Sequence, residues 1–343
     1  MDLGNWNAMN APWGLASRKK LILAALDFFD AEKYINNCKI IGKKRYIFPK
    51  LFSLSEFVTY LEKKNIFPNK NPNIFRIISI LDKAVSGGIL LNLRNEPDKA
   101  PGAHDRYLLI QPYCESAVRG QGLLRLIPAL GSDFLYQTIS PSIVHIKGEN
   151  DAGDEKGGTG IILDRQHILT CAHVTRDLHL DKKQNFQNIQ CNIKQEPILE
   201  DEKEDVAIIQ VDKSLEPVPG MVFQAPVIGK NVFALGFSGI PNTKHEPILT
   251  MHGGAVTSES VTLYPPKEEN LFLCSAISRP GNSGGPIISE DGYIIGIVSK
   301  NLTQKNVDQK GFSPHYAGVP AQVIIKVIES KGLDITIPFE NFE

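Results

Sequence analysis

No long apolar run interrupts this sequence, which removes a membrane-spanning helix of about 20 apolar residues from consideration. The apolar stretch Leu21 to Leu26, behind Arg18-Lys19-Lys20, stops at Asp27. That is too short for the apolar core of a secretion signal, and it reads as one face of an amphipathic helix. Cysteines are few and odd in number: Cys38, Cys114, Cys171, Cys191 and Cys274 are scattered without paired spacing. This set argues against a disulfide framework and points to a reducing, cytoplasmic compartment. His145, His167, His179, His245 and His252 show no ligand spacing, so neither a metal nor a cofactor is expected. Gly157-Gly158-Thr159-Gly160 lacks the lysine and the following helix of a phosphate-binding loop and reads as a turn entering a strand.

Net charge is nearly absent as well, at −1, but the balance hides an asymmetry. Residues 1–130 hold 19 Lys and Arg against 11 Asp and Glu, a net +8, which leaves −9 for residues 131–343. Two units with different surfaces are expected.

Residues 1–15 are rich in Asn, Gly and Pro and are expected to form a tail. Residues 17–35 carry helical periodicity through Leu21, Ile22, Ala25, Phe28 and Phe29. Ser53 and Glu56 have capping-box spacing before a second helix, and a third follows Asn73 and ends at Gly87-Gly88. Residues 89–93 and 106–110 read as strands of a ribbon. Helices followed by a ribbon suggest an α+β, winged-helix-like domain over residues 16–113. Arg76, Lys83, Lys99 and Arg106 would contact nucleic acid if it binds one. A regulatory protein partner is the preferred reading, since such domains also dock proteins. Residues 114–137 are read as a connecting segment and residues 138–331 as a second domain of short strands closed by a helix over 321–330. Residues 332–343 are expected to be a C-terminal tail.

The chemistry resides in the second domain. In Pro280-Gly281-Asn282-Ser283-Gly284-Gly285-Pro286, glycines flank a serine, as a nucleophile on a tight turn requires. The N–H groups of Gly281 and Ser283 are candidates for an oxyanion hole. Upstream, Ile168-Leu169-Thr170-Cys171-Ala172-His173-Val174 supplies a candidate base in His173. Glu204-Asp205-Val206-Ala207-Ile208-Ile209 places Asp205 at the mouth of a buried strand, where it could orient the imidazole.

The segments Thr159 to Val174, Asp205 to Val211 and Ala276 to Ile288, in this order along the chain, resemble those of the chymotrypsin-fold serine proteases, closest to the HtrA (DegP-like) branch but without a PDZ domain. The resemblance covers roughly residues 138–331. It implies an all-β, double six-stranded barrel joined to the N-terminal domain, hydrolysis of protein or peptide substrates, and a His173, Asp205, Ser283 triad. Matching positions place Ile277 near the floor of the specificity pocket and Ser299 beside the catalytic aspartate. They put Lys300 and Asn301 on the strand that pairs with substrate, and Tyr316 where it narrows the pocket. With no acid at that floor, cleavage after an apolar or small residue is expected, with an acidic one left open by Arg279, Lys300 and His315. Asn282 stands where secreted relatives carry an aspartate that pairs with a newly cleaved N-terminus, so activation by such cleavage is not expected.

The function expected is limited cleavage of a specific intracellular protein under control of the N-terminal domain. The alternatives are a DNA-binding regulator with a sensing or self-cleaving barrel domain, and a non-catalytic peptide-binding scaffold.

Overall fold

The computed structural model describes residues 14–44, 51–67, 73–93, 105–110, 117–194, 196–242, 246–263, 269–302 and 315–340. The expected N-terminal tail up to residue 13, and with it Lys99, Cys114 and His245, lies outside these. Two compact units emerge, Met1–Tyr113 with Leu126–Phe134, and Cys114–Arg125 with Leu135–Glu343. The stretch 114–137, read from sequence as one connection, is thus divided between them.

In the first unit the order is α1 (Leu15–Phe28), α2 (Tyr34–Ile41), β1 (Phe52–Ser53), α3 (Leu54–Lys63), α4 (Ile74–Ser86), β2 (Leu90–Leu93) and β3 (Arg106–Leu109). The single helix expected over 17–35 is broken at Phe29 and Asp30. The Asp30 side chain accepts a hydrogen bond from Glu32 N (2.8 Å), capping a separate turn. The capping box of α3 is formed in both directions, Glu56 N to Ser53 Oγ at 3.3 Å and Ser53 N to Glu56 Oε2 at 2.8 Å. These bonds satisfy donors that a helix start leaves open. The strands form an antiparallel sheet in the order β1-β3-β2. Phe28 stacks on Phe52 at 4.2 Å and lies against Phe57 and Tyr60, so aromatic faces from two helices and a strand make the core.

In the second unit, α5 (Ala117–Gly120) precedes the strands. After α6 (Ile127–Leu130) of the first unit, α7 (Ser132–Ile139) leads into β4 (Ile143–Glu149). Then come β5 (Glu155–Ile162), β6 (His167–Thr170), α8 (Ala172–Arg176), β7 (His179–Leu180), β8 (Lys183–Phe186), β9 (Ile189–Asn192), β10 (Leu199–Asp201) and β11 (Val206–Gln210). Six of these strands make a sheet in the order β10-β11-β6-β5-β4-β7, with β8 and β9 as a separate hairpin.

The second set is β12 (Phe223–Gln224), β13 (Asn231–Ser238), β14 (Ile248–Thr262), β15 (Asn270–Cys274), β16 (Pro286–Ser289), β17 (Ile294–Leu302) and β18 (His315–Pro320), followed by α9 (Ala321–Ser330) and β19 (Phe339–Glu340). Its ladder runs β16-β13-β14-β15-β18-β17, and the β16–β17 pairing closes it into a six-stranded barrel. Val232, Phe272, Ile287 and Val298 fill its centre. The closing ladder leaves each of these six strands paired on both sides. The expected C-terminal tail differs in the structure: β19 pairs in parallel with β12, and buried Glu340 accepts a hydrogen bond from Tyr293 Oη (2.7 Å). A two-residue strand has no periodicity to betray it.

Candidate active site

His173 and Asp205 meet because β6 and β11 pair antiparallel with Thr170 opposite Ala207. The residues just after one strand and just before the other therefore arrive at the same end. His173 Nδ1 lies 2.9 and 3.0 Å from the two Asp205 carboxylate oxygens, and the His173 main-chain N–H donates to Oδ1 at 3.1 Å. Asp205 itself sits at φ 57°, in the left-handed region that aspartate tolerates better than most residues. Its carboxylate is buried, 4 % exposed as a residue. Burial alone would raise its pKa, but the His173 ring and the Ser299 hydroxyl, with the His173 N–H, hold it down to about 2. The carboxylate therefore stays charged where it can fix the imidazole tautomer.

Ser299 is the hinge of the arrangement. The β17–β18 register shifts between Val298 and Lys300, leaving Ser299 as the bulged residue. A bulge re-aims a side chain. Here Ser299 Oγ donates to Asp205 Oδ2 at 2.6 Å, while its carbonyl accepts the Ser283 hydroxyl at 3.2 Å. Ser283 thus rests on Ser299, and no hydrogen bond joins it to the His173 ring among the described residues.

The turn before Ser283 follows from Pro280-Gly281. Asn282 N donates to Arg279 O at 2.9 Å and Gly281 has φ 94°, the type II pattern with proline and then glycine at its centre. Thr159 of β5 ties this turn to the first sheet: its Oγ1 donates to Gly281 O (2.7 Å) and its N–H to Ser283 O (2.8 Å). Gly284, at φ 82°, has no room for a side chain, since a Cβ would come within 2.2 Å of Thr159 O and Thr170 Oγ1. The N–H groups of Gly281 and Ser283 make no hydrogen bond among the described residues. Both donors remain open for an anion. Asn282 is wholly buried, and its side-chain Nδ2 and Oδ1 find no partner among the described residues.

Ile277 is 40 % exposed. Beside it, Ser278 Oγ donates to Asn301 Oδ1 at 2.6 Å. Lys300 is ion-paired with buried Glu269. Tyr316, opposite Asn301 in the ladder, is partly buried and packs against the barrel core. Sequence reasoning missed Glu269, the Ser278–Asn301 bond and Thr159, whose partners lie far away along the chain. A cavity of about 630 Å³ has a lining that includes Pro280, Gly281, Phe237 and His145. The His145 ring stacks on Phe237 at 5.1 Å, and burial, helped by Lys147, pushes its pKa down to about 4.

Residues 158–297 match the family described as a trypsin-like peptidase domain. The chain is 26% identical over 271 residues to "Protease Do-like 1, chloroplastic" of Arabidopsis thaliana, covering 68% of this chain and 59% of that protein. It is 24% identical over 204 residues to "Serine protease HtrA-like" of Staphylococcus aureus, covering 54% of this chain and 25% of that protein. Both relatives are therefore spanned over less than two thirds of their length. Among solved structures, the HtrA-type protease AlgW with tripeptide has a TM-score of 0.44 and 18% identity, covering 57% of this chain and 62% of that one.

Proposed function

We propose that this chain, whose residues 158–297 carry a trypsin-like peptidase domain, is a serine endopeptidase acting on protein or peptide substrates. The observation that carries the reading is the junction at Ser299, which takes the Ser283 hydroxyl on its carbonyl and gives its own hydroxyl to the carboxylate that holds His173. In this reading Asp205 keeps the imidazole proton on Nδ1, leaving Nε2 to accept. A torsion about the Ser283 side chain then moves its hydroxyl from Ser299 O to Nε2. The oxygen attacks the scissile carbonyl, His173 takes the proton and later returns it to the leaving amine. The open N–H groups of Gly281 and Ser283 stabilise the oxyanion. Substrate pairs in extended form along Lys300 and Asn301, and the apolar Ile277 favours an apolar or small residue at the cleaved position.

The first unit serves as a winged-helix-like control module in this proposal, making cleavage selective for one protein. Support comes from its helix and strand order with the β1-β3-β2 sheet. Protein is favoured over nucleic acid as its partner because α4 opens on exposed Ile74 and Phe75, the latter 76 % exposed. A reducing, cytoplasmic setting suits the buried thiols of Cys38, Cys171, Cys191 and Cys274.

The test is labelling of the full chain with a fluorophosphonate, alongside peptide hydrolysis by Ser283→Ala and His173→Ala. Labelling at Ser283, with kcat reduced by about 10⁴ to 10⁶ in either variant, is expected. Undiminished hydrolysis by Ser283→Ala would reject the mechanism.

A further inference from the structure

Cys171 is buried two residues from the candidate base, and the hydrolysis described above makes no use of it. Its thiol donates to Val298 O at 3.2 Å, and burial, reinforced by the neighbouring Asp205 carboxylate, pushes its pKa well up. One donor atom each from Cys171, His173 and Asp205 lies within 4.8 Å of the others. We propose that these three side chains bind a zinc ion and that the zinc-bound chain is catalytically silent. The silencing rests on the endopeptidase reading; the binding does not.

The donor set is one sulfur, one imidazole nitrogen and one carboxylate oxygen, all ligands that zinc accepts. A thiolate selects zinc over magnesium or calcium, which prefer oxygen. Charge favours the same ion, since a thiolate and a carboxylate together cancel Zn²⁺ and leave a neutral cluster in a buried place. Zinc bonds of about 2.0 to 2.3 Å require ligand atoms roughly 3.3 to 3.6 Å apart. The Nδ1–Oδ pair, now at 2.9 to 3.0 Å, opens by a few tenths of an ångström, and Sγ, within 4.8 Å of both, closes in by about 1.2 Å at most. The His173 side chain, 29% exposed, is the side from which the ion enters.

The proton balance explains the loss of activity. The Cys171 S–H bond breaks as the Zn–S bond forms, and that proton leaves to solvent. Nδ1 gives its lone pair to zinc, so the neutral ring carries its proton on Nε2. No electron changes hands. A ring protonated on Nε2 cannot accept the Ser283 proton, and Asp205, now a metal ligand, no longer fixes the productive tautomer. Sequence spacing conceals this cluster because Cys171 and His173 are separated by one residue while Asp205 comes from another strand.

The test is titration of the metal-free full-length protein with cobalt(II), whose bond to a thiolate gives a charge-transfer band in the near ultraviolet. The band is expected in the wild type and in Ser283→Ala, and not in Cys171→Ala; melting curves verify that each variant is folded. In parallel, zinc chloride is titrated into peptide hydrolysis, each rate taken relative to the same protein in chelator. Cys171→Ala should need at least about 10-fold more zinc for half inhibition. If no hydrolysis exists at all, the cobalt spectrum still decides the binding. A wild-type protein without the thiolate band, or a Cys171→Ala protein inhibited at the wild-type zinc concentration, overturns the proposal.

Discussion

Replacing Ser299 by alanine removes one hydroxyl and leaves the backbone carbonyl that receives Ser283, so it isolates the bond to Asp205. That bond is 2.6 Å long between residues only 3 % and 4 % exposed, and its acceptor is charged. A hydrogen bond to a buried charge contributes about 1.5 to 3 kcal/mol, equivalent to roughly one to two pKa units. Asp205, held at about 2 in the folded protein against 3.8 for a free carboxyl, should move back toward that ordinary value. The wild-type depression stabilises the fold by about 2 kcal/mol at pH values above the unfolded pKa. That contribution is lost as pH falls from about 4 through about 2, because the unfolded state then takes up the proton first. In Ser299→Ala the stability curve should be flatter in this window and lower at neutral pH. His173 keeps its Nδ1 and main-chain contacts to Asp205, so kcat should fall only about tenfold, with KM nearly unchanged. Thermal melts from pH 2 to 7 and steady-state peptide hydrolysis measure both effects, and Ser299→Thr, which retains the hydroxyl, should recover much of each. Wild-type pH dependence and wild-type turnover in Ser299→Ala would refute the role given to this hydroxyl.

Two further outcomes follow from other buried groups. His145, with its pKa lowered to about 4 from 6.5, stabilises the fold above the higher value and loses that contribution as pH falls toward the lower. His145→Phe should therefore flatten the acid limb of a melting-temperature profile between these values, and an unchanged limb would count against its burial on Phe237. Lys300→Gln strands the Glu269 carboxylate, which is 3% exposed, and should cost about 3 kcal/mol in urea melts; adding Glu269→Gln should restore most of it.

What could be read from the sequence was local. The box formed by Ser53 and Glu56 joins positions three apart, and the Pro-Gly pair before Asn282 announces its own turn type. The meeting of His173 with Asp205 was also readable, because each stands at the end of an apolar strand and a single ladder suffices to unite them. Other features depend on partners distant along the chain. The bulge at Ser299 arises from register against β18, and Glu269 becomes meaningful only opposite Lys300. The break after Phe28 was hidden because Phe29 continues the apolar periodicity of α1, although its ring leads into a separate capped turn. β1, β12 and β19 are two residues each, too short for alternation to register.

The path of the backbone between the two units has a practical corollary. The polypeptide leaves the first unit after Tyr113, re-enters it at Leu126 and departs again after Phe134. No single scission can then deliver either half whole. Trimming at residue 131 would rob one of the stretch carrying Arg119, which lies 3.5 Å over the Tyr293 ring, and the other of residues 131–134, where α7 begins. Halves made in that way would compare damaged pieces, so separating the units requires re-joining the chain ends as well as cutting.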